Sequence, residues 1–290
     1  MVTLTIALAV LVGVALGLLG GGGSILTVPL LAYVAGMDAK QAIATSLLVV
    51  GVTSAVGAIS HARAGRVQWR TGLTFGAAGM AGAYGGGLLA RFIPGTILLI
   101  GFAVMMIATA VAMLRGRRNL DTPAGHRLPV PKILAEGLVV GLVTGLVGAG
   151  GGFLVVPALA LLGGLPMPVA VGTSLIVIAM KSFAGLGGYL SSVHINWTLA
   201  FAVTAAAVVG ALAGARLTAL VNPEALRKTF GWFVLAMSSI ILAQEIHPAV
   251  GIAAAILTAI AAALTFVCTR YAHCPLRRIS AAAGRGTAPA

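Results

Sequence analysis

Two stretches of this sequence gather residue types that hold anions without any acid or base of their own. Gly20, Gly21, Gly22 and Gly23 precede Ser24 in "GLLGGGGSILTVPLL", and Gly148, Gly150, Gly151 and Gly152 recur in "GLVGAGGGFLVVPAL". Each glycine costs a helix roughly 1 kcal/mol relative to alanine, so four together mark a place where a helix is interrupted. At such a break, backbone N–H groups and the positive end of the following half-helix converge, and the missing side chains let a ligand reach the main chain. Thr45 and Ser46 in "ATSLLVV", and Thr173 and Ser174 in "GTSLIVI", add hydroxyls about one turn inside their helices, placed to donate to an oxyanion. The competing use of such hydroxyls is a bond to their own or a neighbouring helix. Lys181, in "VIAMKSFAGL", is the only basic residue in the middle of an apolar segment. A lysine inside a membrane is costly and marks a functional position by default; here it reads as the counter-charge of an anionic substrate, against the alternative of a stem that snorkels to an interface.

The elements around these residues are built for lipid. Of 290 residues, 60% are hydrophobic and 8% charged, where a soluble domain carries about 25% charged residues, and the mean hydropathy is +1.10. Apolar stretches of about 20 residues, the length that crosses a hydrocarbon core, recur from Thr3 to Phe266 and leave no room for a soluble domain. The expected class is an all-α polytopic membrane protein. The net charge of +13 sits in short loops rather than on one face, so it speaks for membrane topology and not for nucleic acid. No Lys or Arg precedes the first apolar run, which is therefore read as mature structure rather than a signal peptide. Cys268 and Cys274, in "CTRYAHC", make neither a disulfide framework nor a convincing metal site. Asp38, Asp121, Glu136, Glu224 and Glu245 all fall in loops or near helix ends, which argues against a carboxylate proton relay. No nucleophile and base stand together, and no Walker motif is present; neither an enzyme, nor direct ATP drive, nor a cofactor is expected.

One repeat organises the chain. "GVALGLLGGGGSILTVP" returns as "GLVTGLVGAGGGFLVVP", and Gly13 to Trp69 align without gaps on Gly141 to Trp197, pairing Pro29 with Pro157, Thr45 and Ser46 with Thr173 and Ser174, and Trp69 with Trp197. The expected organisation is a first transmembrane repeat at 1–114, a basic cytoplasmic linker at 115–131, a second repeat at 132–243, an extra helix at 249–268 and a basic cytoplasmic tail at 269–290. The first repeat reads as apolar elements at about 2–19, 24–35, 41–60, 71–90 and 95–114, and the second as 132–147, 152–163, 168–190, 197–215 and 223–243. In each, the glycine break precedes an element too short to span upright, one limb of a broken or re-entrant hairpin.

An odd number of elements per repeat inverts the second repeat relative to the first. The basic residues agree: with Arg63, Arg66 and Arg70 inside, all Lys and Arg fall on the cytoplasmic side except Lys40 and Arg91 outside and Lys181 within the membrane. Inverted repeats with interrupted helices are the layout of many secondary transporters, where irregular backbone at membrane depth lines a cavity. Gly13 and Gly17, with Gly141 and Gly145, read instead as close helix packing. His61 and His194 flank the loops after the two third elements.

"GLLGGGGSILTVPLL" with "ATSLLVV" and "HARAGRVQWR", then "GLVGAGGGFLVVPAL" with "VGTSLIVI", resembles the TauE/SafE sulfite exporter family of membrane permeases, from Leu11 to about Leu242. The resemblance implies passage of sulfite, organosulfonates or related small sulfur anions across a prokaryotic inner membrane, with export the favoured direction. The family's repeated motif falls on Gly20 to Ser24, Pro29, Thr45, Ser46, Gly148 to Gly152, Pro157, Thr173 and Ser174; the first unit has Gly21 where the second has Ala149. A passive anion channel and an uptake permease for a different small anion are the alternatives. The expected partners are the anion and the lipid bilayer, with a homodimer left open.

Overall fold

The computed structural model describes residues 2–19, 22–115, 130–148, 152, 155, 159, 165, 167–217, 223–247 and 249–259. Among them there is no strand; helices joined by short turns account for the architecture. The expected element at 152–163 falls mostly outside the described residues, as do most of the linker and everything from 260 onward.

Helix α1 (Val2–Leu19) is followed by α2, which changes pitch twice: a 3-10 turn over Gly22–Leu26, an α turn over Thr27–Pro29 and a π turn over Leu30–Val34. Pro29 supplies a reason, since it has no N–H and its ring crowds the carbonyl four residues back, so a regular ladder cannot run through it. The π turn is closed by Ala35 N–H on Leu30 O at 3.1 Å. Gly36, at φ 67°, then turns the chain while Met37 N–H reaches Leu31 O at 3.1 Å, a glycine C-cap bond one residue wider than the usual six-to-one bond, as the wider π turn requires.

Helix α3 (Ala39–Arg63) starts on Asp38, whose carboxylate accepts from Lys40 N–H at 3.1 Å, and ends at Gly65, φ 68°. Those two caps extend it beyond the segment expected from hydropathy. Then come α4 (Trp69–Leu89), α5 (Gly95–Arg115), α6 (Val130–Val147), α7 (Met167–Leu190), α8 (Trp197–Leu217), α9 (Pro223–Glu245) and α10 (Ala249–Ala259). Among the described residues, α3, α7 from Val169, and α8 are long and apolar enough to cross a membrane. Large apolar side chains such as Leu11, Phe92, Phe201, Val209 and Leu257 face outward, while Ser46, Thr144, Thr173, Lys181 and Ser182 are buried. That distribution suits a hydrocarbon surround, where polar groups must be satisfied inside the protein.

Two helix pairs are joined backbone to backbone. Gly13 and Gly17 of α1 meet the carbonyls of Ala207 and Ala211 in α8, and Gly210 and Gly214 of α8 meet those of Val10 and Val14. In the same way, Gly141 and Gly145 of α6 meet the carbonyls of Gly79 and Ala83 in α4, and Gly82 and Gly86 meet those of Leu138 and Leu142. The residue numbers rise together, so each pair is parallel. A Cβ at any of these positions would overlap main-chain atoms, which is the close-packing use expected of the four glycines. Helix α7 also lies along α4, with Gly87 against Gly185 and Gly188.

The α3–α7 pair is different. A Cβ on Gly185 would touch Leu47 Cδ1 at 3.4 Å, one on Gly51 the Phe183 ring at 3.3 Å, and one on Gly57 Leu175 Cδ1 at 3.5 Å. The helices are antiparallel, and side chains rather than backbone fill the seam. Helices α5 and α9 pack together, with Phe102, Met106, Val234 and Ile241 in the largest apolar core.

Candidate functional site

The second glycine break is held from three sides. Helix α6 ends at Val147, and Gly148, at φ 73°, turns the chain while its N–H bonds Thr144 O at 2.9 Å. This positive φ is open to glycine and strained for other residues, and the space excludes a side chain as well: a Cβ here would lie 3.1 Å from Ile43 Cα and closer still to its Cγ2. The break is thus seated directly on the first turns of α3. From α3, the Ser46 hydroxyl is shared between Ile43 O at 2.7 Å and Gly148 O at 2.8 Å. From α7, Tyr189 OH donates to Leu146 O at 2.5 Å. A helix end leaves carbonyls without intrahelical partners, and these bonds satisfy two of them, Leu146 O and Gly148 O.

Lys181 approaches the same turn from α7. It is 1% exposed, and its ammonium donates to Thr144 Oγ1 at 3.2 Å, while the Thr144 hydroxyl donates to Val140 O at 2.7 Å. Among the described residues this is the ammonium's one hydrogen bond, and no carboxylate lies within ion-pair distance of it. Its neighbour Ser182 packs against Gly51, the central residue of α3. Lys181 therefore stands at mid-helix depth and turns inward, toward α4 and α6, rather than snorkelling along its stem to an interface.

The other hydroxyls read from the sequence have separate surroundings. Thr173 Oγ1 accepts from Gln68 N–H at 3.0 Å, and Ser174 donates to Val171 O at 2.8 Å. Thr45 Oγ1 is buried and has no partner. Because α3 and α7 are antiparallel, Thr45 and Ser46 lie toward one end of the pair and Thr173 and Ser174 toward the other. Of the glycines, Gly22 and Gly23 open the 3-10 turn of α2, Ser24 is buried behind them and Gly152 is buried and helical; Gly20, Gly21, Gly150 and Gly151 lie outside the described residues. The structure thus brings together Ser46, Gly148 and Lys181, joined through Thr144.

Thr144 and Tyr189 were not singled out by sequence reasoning. The repeat contained a signal for both: Thr144 aligns with Leu16 and Tyr189 with His61, as Lys181 aligns with Thr53. All three second-repeat residues bond α6 or come from it, whereas Thr53 Oγ1 bonds its own helix at Val49 O, 2.7 Å.

A cavity of about 310 Å³ lies elsewhere, lined by Tyr33, Asp38, Thr96, Leu99 and Glu245 among others. Tyr33 OH donates to Glu245 Oε1 at 3.2 Å across it, joining α2 to α9.

Comparison with known proteins finds relatives over most of the chain. The model of the family described as sulfite exporter TauE/SafE matches residues 5–241. A probable membrane transporter protein of Xylella fastidiosa (strain Temecula1) is 36% identical over 242 residues, covering 81% of this chain and 92% of the relative. The probable membrane transporter protein YunE of Bacillus subtilis is 30% identical over 252 residues, 77% of this chain and 89% of the relative. One from Methanocaldococcus jannaschii is 30% identical over 199 residues, 65% and 74% of the two chains. No solved structure matches the chain.

Proposed function

The chain belongs to the sulfite exporter TauE/SafE family of membrane transporters, and on that premise we propose that it carries sulfite, an organosulfonate or a related small sulfur oxyanion out across the inner membrane by alternating access. One observation carries the choice of an anion: the buried Lys181 ammonium, which among the described residues bonds a single hydroxyl and has no carboxylate in ion-pair reach. A buried charge is tolerated when it is paired, and an anionic cargo is the missing partner. The seated break at Gly148, with Ser46 and Thr144, forms the wall of that site. Thr45 and Ser24, with Gly22 and Gly23, line its approach from the other half, and Gly152 belongs to the same wall; Thr173 and Ser174 stand on the route farther along α7.

Two inverted repeats build the moving halves together, each half taking helices from both repeats. The pairing of α1 with α8 and of α6 with α4 through equivalent glycines supports this reading, as does the antiparallel run of the third elements α3 and α7. Lys40 Nζ reaches Arg91 O at 3.1 Å, so the two basic residues assigned to the outside share one place. The linker and the C-terminus are then cytoplasmic. Cysteines introduced at 62–68 label from the cytoplasmic face and those at 191–195 from the other; labelling of both loops from one face rejects the inverted arrangement.

The transport reading is tested in proteoliposomes with sulfite, thiosulfate, sulfate and a simple sulfonate. Saturable flux with counterflow is the expected result. Flux that rises linearly with concentration and shows no counterflow identifies a passive channel instead.

A further inference from the structure

The hydroxyls that the sequence offers to an anion are mostly engaged. Ser46 is shared between two carbonyls, Ser174 bonds Val171 O, and Thr173 accepts from a backbone N–H. Two other buried serines are not. Ser54, 2% exposed, and Ser182, 0% exposed, have no hydrogen-bond partner among the described residues. A helical serine ordinarily satisfies itself on a carbonyl three or four residues back, as Ser46, Ser60, Ser174 and Ser238 do here. Ser54 and Ser182 occupy equivalent places in the two repeats.

Their position is as telling as their lack of partners. A Cβ on Gly51 would lie 3.4 Å from Ser182 Cβ, which sets Ser182 against the middle of α3. Ser54 follows Gly51 by one turn, on the stripe of α3 that carries Leu47 and Gly51 toward α7. The two hydroxyls therefore flank the midpoint of the α3–α7 crossing, while Lys181, one residue before Ser182, turns to the α4 and α6 side of α7.

We infer that Ser54 and Ser182 are the paired hydroxyl donors of a central oxyanion subsite at the α3–α7 crossing, one from each repeat. The seam between these helices is closed by the Leu47, Leu175 and Phe183 side chains rather than by backbone contact, so it opens by rotamer changes and leaves the glycine-joined pairs intact. An anion with at least two terminal oxygens, such as sulfite, takes one hydroxyl on each side; a halide cannot satisfy both in the same way. Ser46 then has a different task, holding Gly148. The assignment rests on the oxyanion transport proposed above.

The test is calorimetric titration of the purified, detergent-solubilised full chain with sulfite, sulfate, thiosulfate and chloride, on wild type, Ser54→Ala, Ser182→Ala, the double variant and the hydroxyl-retaining Ser54→Thr and Ser182→Thr, with thermal melts on each. A hydrogen bond to a charged group corresponds to a factor of about ten or more in affinity. Each alanine variant is expected to lose about tenfold in sulfite affinity with an unchanged melt, and the threonine variants to stay within about threefold of wild type. A folded double variant that binds sulfite like wild type overturns the serine assignment while leaving the transport reading intact. Threonine variants that lose affinity as the alanines do also overturn it, because bulk rather than the hydroxyl is then at work. A wild-type chain that binds none of the oxyanions removes the transport reading, and this assignment with it.

Discussion

The two glycine breaks begin from nearly the same sequence and end in different surroundings. At the second, Gly148 takes a left-handed conformation on α3, and Ser46, Tyr189, Thr144 and Lys181 form a chain of polar contacts around the end of α6. At the first, the positions equivalent to Thr144 and Lys181 are Leu16, buried in an apolar cluster, and Thr53, whose hydroxyl bonds its own helix. After this break the chain winds into the 3-10 turn of α2 and folds back beside α1, with Leu30 and Leu31 against Ala9, Val12 and Leu16. The sequence repeat supplies two matching glycine-rich stretches, and the lysine stands beside only one of them. On the proposed reading, that single cation gives the cargo one side to bind first.

The largest effect that bears on this contrast is expected from Gly148→Ala. Strain at φ 73° and overlap with the Ile43 side chain together cost about 3–5 kcal/mol, read as a strongly lowered thermal midpoint in detergent. A midpoint close to wild type would mean that the break is not seated on α3. Next, Lys181→Met is expected to insert and fold but to weaken sulfite binding by about 10–100-fold, the span of a lost charged hydrogen bond. Lys181→Arg falls between, because the planar guanidinium is not an equivalent point charge. Thr53→Met, at the matching place in the first repeat, leaves affinity unchanged; equal losses at 53 and 181 would erase the distinction between the halves. Tyr189→Phe removes the bond to Leu146 O and is expected to cost about 1 kcal/mol of stability. Gly36→Ala, at φ 67° with no atom within 4 Å of an added Cβ, is expected to cost about 1 kcal/mol through conformation alone. The smallest change is His61→Phe, within about 0.5 kcal/mol, since His61 Nδ1 is buried without a partner among the described residues.

Much of the frame was legible before any coordinates. Hydropathy located α1, α3 to α9 and the start of α10 to within a few residues, because burial in lipid demands long apolar runs and the chain has little else. The packing role of Gly13, Gly17, Gly141 and Gly145 was legible too, since a four-residue glycine spacing puts bare backbone on one helix face. The site was less so. Periodicity does not reveal whether a hydroxyl turns to its own carbonyl or to a neighbour; Ser46 and Ser54 sit in the same helix, and only the first finds an acceptor. Nor does it reveal which residues meet the end of α6, since Tyr189 and Lys181 arrive from α7, far along the chain. Asp38 was placed near a surface by sequence, but its task as the cap of α3 depends on the turn at Gly36, which positions it.

The glycine-joined pairs also have a kinematic consequence. Where main chain lies on main chain, as between α1 and α8 or α4 and α6, sliding by even a fraction of a turn drives carbonyl into carbonyl, so each pair behaves as one beam. Helix α7 is fastened to the second beam through Gly87 and Gly188. The remaining freedom is relative rotation of the beams about α3, whose contact with α7 is made by deformable side-chain tips. The hinge of the protein is thus written in the residues that are not glycine.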